Sequence, residues 1–337
     1  MRSPLPARAA IVATAQEAIA RGSRSFTAAS RLFERETRER AWLLYAWCRA
    51  CDDLADGQDH GGEARAADAR AGLARIPLLT DAALAGERVG DPAFDALRIV
   101  AAEANLPHRF VRDVVEGFAL DAAGWMPRHE DDLYRYAYHV AGAVGCLMAV
   151  LMGVSPEDEA TLDRACDLGI AFQLANIARD VEADDRMGRC YLPRDWLTEM
   201  DIPPGQHLQP RFRPRLAILA GRLTRSAADH AESARGGTPA LGFRSAWAVL
   251  AAAGIYGDIA KKVAERGEHA WDRRAATSGF EKIGWIARAW WQALRRRNFH
   301  PATPRDPALW TRPRQAGPGP AGDSPRAGPS RFPVPGP

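Results

Sequence analysis

The sequence predicts an all-α fold, and three observations carry that expectation. Apolar residues recur every three or four positions through nearly every segment up to about Arg297. Ala, Leu, Arg and Glu dominate those segments, and most of these are strong helix formers. Runs of alternating β-branched residues, the mark of a strand, are absent. A chain of 337 residues with 47% hydrophobic composition can bury one core without disulfide or metal staples.

The breaks between helices follow from local chemistry. Gly57 to Gly62 closes a helix, and Leu106-Pro107 and Met126-Pro127 mark turns. Ser155-Pro156 reads as an N-cap followed by proline at the first helical position. Pro203-Pro204-Gly205 and Gly236-Gly237-Thr238-Pro239 are further breaks. The run Val140 to Val154 is apolar but shorter than the roughly 18 residues of a spanning helix, and it holds three glycines. It is expected to be a core helix. No apolar leader stands at the N-terminus, and no repeat of solenoid period is present. From His300 the chain changes character, and Gln315 to Pro337 is almost wholly Pro, Gly, Ala, Ser and Arg. Such a stretch cannot bury enough apolar surface to offset its ordering entropy, so it is expected to be disordered. The expected organisation is an N-terminal extension over 1–18, one helical domain over 19–313 and a tail over 314–337.

Charge and cysteine usage exclude some classes. A formal net charge of +3 gives no nucleic-acid footprint. Five cysteines, odd in number and irregular in spacing, argue against a disulfide framework and fit a reducing cytosol. Cys48 and Cys51 have redox-motif spacing but lie inside a helical pattern without the strand such a motif needs. The histidines do not cluster with metal-ligand spacing, and His139 is expected to be structural.

Two acidic constellations stand out. In Tyr45-Ala-Trp-Cys-Arg49-Ala-Cys-Asp52-Asp53-Leu-Ala-Asp56, the residues Tyr45, Arg49, Asp52 and Asp56 share one helix face, with neighbouring Cβ atoms about 5–6 Å apart. In Gln173-Leu-Ala-Asn176-Ile-Ala-Arg179-Asp180-Val-Glu-Ala-Asp184, the residues Gln173, Asn176, Asp180 and Asp184 form a polar stripe within an apolar helix. Such a stripe must be satisfied internally or by a ligand. Carboxylates one turn apart repel unless a cation lies between them. Mg²⁺ takes oxygen ligands, usually one or two carboxylates with water and substrate phosphates. Arg49 and Arg179 beside them could grip phosphate oxygens bidentately. The pattern therefore predicts ionisation of a diphosphate.

These motifs closely resemble the squalene and phytoene synthase family. So do the strings Gly188-Arg-Cys-Tyr-Leu-Pro193, Gly22-Ser-Arg-Ser-Phe26, Tyr138-His-Val-Ala-Gly-Ala-Val-Gly145 and Ala270-Trp-Asp-Arg-Arg274. In detail they resemble its bacterial phytoene synthase branch, from roughly Ile19 to Pro313. The resemblance implies an isoprenoid synthase-type helical bundle around a central cavity, with the two aspartate helices facing across its mouth. It implies Mg²⁺ or Mn²⁺ on Asp52, Asp56, Asn176, Asp180 and Asp184. Diphosphate contacts would come from Tyr45, Arg49, Arg179, Tyr191 and Arg273. Tyr136 and Gln173 would lie near the reacting carbons, and Phe26 would line the pocket. Tyr136, Val140, Ala143 and Val144 read either as the apolar wall of that pocket or as a small-residue packing seam. Asp185, outside the family pattern, is expected to face water.

The implied activity is head-to-head condensation of two geranylgeranyl diphosphates, through prephytoene diphosphate, to phytoene, the first committed step of carotenoid biosynthesis. No NADPH is expected, and downstream carotenoid enzymes are candidate partners. A farnesyl-diphosphate user making squalene, dehydrosqualene or a hydroxysqualene precursor is the nearest alternative. A head-to-tail elongase matches the strings less well. A non-catalytic helical binding protein would leave both acidic faces unexplained. The amphipathic, aromatic and basic segment Trp285 to Arg297 reads as an interfacial membrane helix or as a last core helix with a basic end. The expected location is cytoplasmic, with peripheral contact at the inner membrane face as the second reading.

Overall fold

Side-chain caps at Asp91, Asp158 and Ser278 start three of the helices in the computed structural model, which describes residues 8–22, 27, 29–55, 66–301 and 303–314. Phe26, Asp56, the Gly57 to Gly62 turn and residues 315–337 lie outside the described residues. Among the described residues there is no strand. The helices are α1 (Arg8–Gly22), α2 (Arg35–Ala55), α3 (Ala66–Leu84), α4 (Pro92–Ala104), α5 (His108–Ala122) and α6 (Glu130–Ala137). A π-helical turn, Tyr138–Gly142, leads into α7 (Ala143–Leu151). Then come α8 (Glu159–Arg186), α9 (Arg194–Glu199), α10 (Arg213–Arg235), α11 (Phe243–Arg266), α12 (Gly279–Leu294) and α13 (Arg296–Phe299).

Helix α4 starts where the Asp91 side chain accepts from the Ala93 amide, with Pro92 supplying a pre-set φ. It ends at Asn105 in the left-handed region. Helix α8 starts three residues later than the Ser155-Pro156 pair suggested. Asp158 is its cap and accepts from the Thr161 amide over 3.0 Å, while Ser155 and Pro156 belong to the preceding turn. The apolar run from Val140 is likewise not one uniform helix, because the π turn interrupts it before α7.

The core is continuous from α1 to α12. Helix α2 contributes Leu43, Leu44, Trp47 and Cys51, all buried, while Tyr45, Arg49 and Asp52 lie on another face of the same helix. The boundary drawn at residue 18 falls inside α1, whose Ile11, Val12 and Ala15 are buried in this core. Helix α8 is packed by α7, α10, α11 and the π turn. Its approach to α7 is close because glycines remove side chains from the crossing. A Cβ on Gly145 would stand 2.3 Å from the Ala165 carbonyl oxygen, and one on Gly169 would stand 2.2 Å from that of Ala141. Gly142, Gly145 and Gly169 thus form a packing seam. Helices α2 and α8 are bridged by α5 and α7, each of which packs against α2, and α7 also packs against α8. No helix among the described residues is long and apolar enough to cross a membrane.

The segment 303–314, after the last helix, straps α8 from outside. Arg305 bonds both oxygens of the fully buried Asp167, at 2.7 and 2.8 Å. Arg312, itself buried, pairs with Glu159 and lies 2.9 Å from Asp163, which Arg314 also reaches. Trp310 donates to Asp131 over 2.8 Å and stacks on Tyr134.

Candidate active site

The second acidic motif lies on the C-terminal half of α8. Asp180 accepts from Arg179 Nε at 2.8 Å and from Arg274 Nε and Nη2 at 2.8 and 3.0 Å. Burial alone would lift its carboxyl, and these hydrogen bonds more than reverse that, leaving it below the usual range. Arg274 reaches α8 because the loop before α12 is seated there: the Trp271 indole donates to the Ala178 carbonyl over 3.1 Å. One turn on, burial first and Asp180 second push Asp184 up to about 6. Gln173 and Asn176 are half-buried on the same side of α8. Asp185 is 39% exposed and lies 3.4 Å from the buried His207.

On α2, Arg49 pairs with Asp52 at 2.9 Å and with Asp53 at 2.6 Å. Tyr45 is half-buried one turn before it, and burial raises its phenol. The adjacent thiols are not activated. Burial pushes Cys48 up to about 12 and lifts Cys51 as well, the opposite of the lowered pKa that marks a reactive thiol pair.

An aromatic tier adjoins the second motif. Tyr136 stacks on Trp125 and on Tyr191, with ring centroids 5.6 and 4.8 Å apart. Both tyrosine hydroxyls donate to Oδ1 of Asp121 at 2.9 Å. Burial and then Asp121 hold both phenols far above their ordinary pKa. Tyr191, Asp184, Arg189 and His207 share a water-sized void of about 10 Å³. A larger cavity of about 210 Å³ lies between α8, α10 and α11. Alanines on all three helices leave this space, and Phe172 and Tyr256, stacked at 4.0 Å, stand in its wall. Tyr256 is within the field of Arg179, Asp180 and Arg274, so the cavity adjoins the acidic motif.

The structure therefore brings Arg179, Asp180 and Asp184 together on α8, near Tyr136 and Tyr191. Arg49, Asp52 and Asp53 cluster on α2. Among the described residues no three His, Cys, Asp or Glu converge as a metal site by themselves. Val140 and Val144 are half-buried against the core and do not line the larger cavity. The Arg273 side chain is exposed, while its carbonyl accepts from Arg266. Sequence reasoning missed Asp121, Arg274, Phe172 and Tyr256. Arg274 stood beside a residue already chosen, and its role depends on how the loop is seated. The other three carried no distinguishing spacing.

Comparison with known proteins adds an independent line. The squalene/phytoene synthase family matches residues 19–281. A phytoene synthase of Pseudescherichia vulneris is 43% identical over 302 residues, spanning 89% of this chain and 97% of that one. A 15-cis-phytoene synthase of Pantoea ananas is 43% identical over 303 residues, with 89% and 97% covered. A dehydrosqualene synthase crystallised with a ligand superposes with a TM-score of 0.75 at 26% identity, covering 84% of this chain and 96% of that one.

Proposed function

We propose that this chain, which belongs to the squalene/phytoene synthase family, condenses two geranylgeranyl diphosphates head to head to give phytoene. The observation that carries the reading is the 43% identity to phytoene synthases along nearly the whole chain, with both acidic motifs present.

The chemistry follows from the residues. The donors assigned to Mg²⁺ or Mn²⁺, Asp52, Asp56, Asn176, Asp180 and Asp184, are all hard oxygen ligands, and the repulsion between Asp180 and Asp184 is what a bound cation relieves. Bound there, the ion supplies charge neutralisation of the diphosphate oxygens. Arg49, Arg179, Arg273, Tyr45 and Tyr191 would hold the diphosphate by hydrogen bonds and charge. The C1–O bond of one substrate breaks, its electron pair leaving with diphosphate. The C1 cation adds to the 2,3 double bond of the second substrate, and loss of a proton gives prephytoene diphosphate. Ionisation of that intermediate, rearrangement and a second proton loss give phytoene. Gln173 and the face of Tyr136 would lie near the reacting carbons. Tyr136 acts as a ring and not as a base, because its hydroxyl donates to Asp121 and its pKa is raised. The released diphosphate is the proton acceptor. Phe26 would guide the polyprenyl chains, and apolar walls exclude water that would quench the cations.

Purified protein with Mg²⁺ and either geranylgeranyl or farnesyl diphosphate tests this reading. A C40 hydrocarbon from the first, unchanged in rate by NADPH, is the expected result. A C30 product from the second alone, or accumulation of a cyclopropyl diphosphate until NADPH is added, would overturn it.

A further inference from the structure

Helix α12 has two apolar faces, and the fold uses one. On the inner face Ala289 and Ala293 are buried, Trp285 packs on Gly254 of α11, and the Ile286 carbonyl accepts from Trp247. On the outer face Phe280, Ile283, Ala287, Trp290, Trp291 and Leu294 are all exposed, Phe280 to 89% and Ile283 to 65%. Their spacing of three, four, three, one and three residues makes one stripe along the helix, about 20 Å long at 1.5 Å per residue. So large a contiguous apolar surface marks an interaction site.

The charges beside the stripe say what covers it. Arg288 and Arg295 are exposed along one edge, their guanidinium carbons 5.4 and 4.1 Å from the ring centroids of Trp285 and Trp291. Arg297 is exposed just beyond. The one acidic residue in α12, Glu281, is held by Lys262 of α11 at 2.7 Å. An apolar stripe with tryptophans at its border and arginines beside it complements acyl chains below anionic headgroups. A second copy of the same stripe offers no anion to these arginines.

We propose that the outer stripe of α12 docks in the plane of a membrane interface that bears anionic lipid. The surface stands on this geometry alone, and its purpose, delivery of a polyprenyl chain, rests on the function proposed above. Docking places the helix parallel to the bilayer, with its apolar side chains about 5–10 Å into the headgroup boundary.

Co-sedimentation of the full chain with phosphatidylglycerol/phosphatidylcholine vesicles, without substrate, tests the docking separately from the chemistry. Binding is expected, falling at least tenfold in Phe280→Ser/Ile283→Ser/Leu294→Ser. It should also fall several-fold in Arg288→Gln/Arg295→Gln and with added salt. All five positions are exposed, and circular dichroism checks that the variants stay folded. Failure to bind the vesicles, or undiminished binding by the serine variant, overturns the proposal. Self-association abolished by the serine variant, without vesicle binding, overturns it in favour of a second copy. Turnover of detergent-dispersed substrate by the serine variant should match the parent, whatever the vesicle result.

Discussion

The hydroxyl of Tyr136 donates to Oδ1 of Asp121 over 2.9 Å, and the same oxygen accepts from Tyr191. One carboxylate at the end of α5 thereby fixes two stacked rings, one from α6 and one from the segment after α8. Asp121→Ala leaves two buried phenols without this acceptor. It should destabilise the fold by about 2–6 kcal/mol, on roughly 1–3 kcal/mol for each of the two buried unsatisfied groups. Asp121→Asn keeps an acceptor oxygen and should lose less than half as much. Urea unfolding compares the two. Equal losses would show that the hydrogen bonds are not what Asp121 contributes.

The acidic motifs should fail chemically before they fail structurally. Asp52→Asn and Asp180→Asn keep side-chain size and remove the charge. Turnover should fall at least 100-fold, about 2.7 kcal/mol at 1.36 kcal/mol per decade. The melting temperature of Asp52→Asn should move by less than about 2 °C, since Asp52 is half exposed. Near-normal turnover in either purified variant would remove the carboxylates from the mechanism.

Arg273 and Arg274 are adjacent but differently placed. Arg274 grips Asp180 and so competes with any cation for that carboxylate. Arg273 is exposed and able to meet a diphosphate. Arg273→Ala should raise KM for the prenyl diphosphate about tenfold, leaving the Mg²⁺ dependence alone. Arg274→Ala should lower the Mg²⁺ concentration needed for half-maximal rate. Identical effects of the two substitutions on both parameters would refute this division.

What the sequence revealed here is what repeats along one helix. Asp180 and Asp184 were legible because a polar stripe inside an apolar helix has a period. The helices were legible for the same reason, although the start of α8 was not. Ser155-Pro156 satisfied the capping pattern, and Asp158 provides the cap. Asp121 was illegible because one aspartate at the end of an amphipathic helix looks solvated until two tyrosines arrive from elsewhere. The row Glu159, Asp163, Asp167 was present at four-residue spacing in α8. Its partners Arg305, Arg312 and Arg314 come far later, from irregular chain with no period to read.

That row yields the last prediction, which concerns where the chain can be cut. The sequence suggested a cut after Pro313, but Arg314 pairs with Asp163. A chain ending at residue 314 should keep its full melting temperature, because residues 315–337 lack the apolar content to dock. A chain ending at residue 302 removes Arg305, Arg312 and Arg314 and strands the buried Asp163 and Asp167. Loss of one partner from a buried pair costs about 3–5 kcal/mol, so this chain should melt far lower, and Arg312→Ala alone should cost about 3 kcal/mol. Acid supplies a check on the cause. Burial would raise the Glu159 carboxyl, and hydrogen bonds from Arg109 and Arg312 more than reverse it, so its folded pKa lies below its ordinary 4.5. A depressed carboxyl stabilises the fold above its unfolded pKa, and that contribution disappears as pH falls through the folded value. The gap in melting temperature between the parent and Arg312→Ala should therefore be full at pH 7 and shrink below about pH 4. A gap that stays constant down to pH 3 would mean that Arg312 acts by packing on Phe110 and not through Glu159.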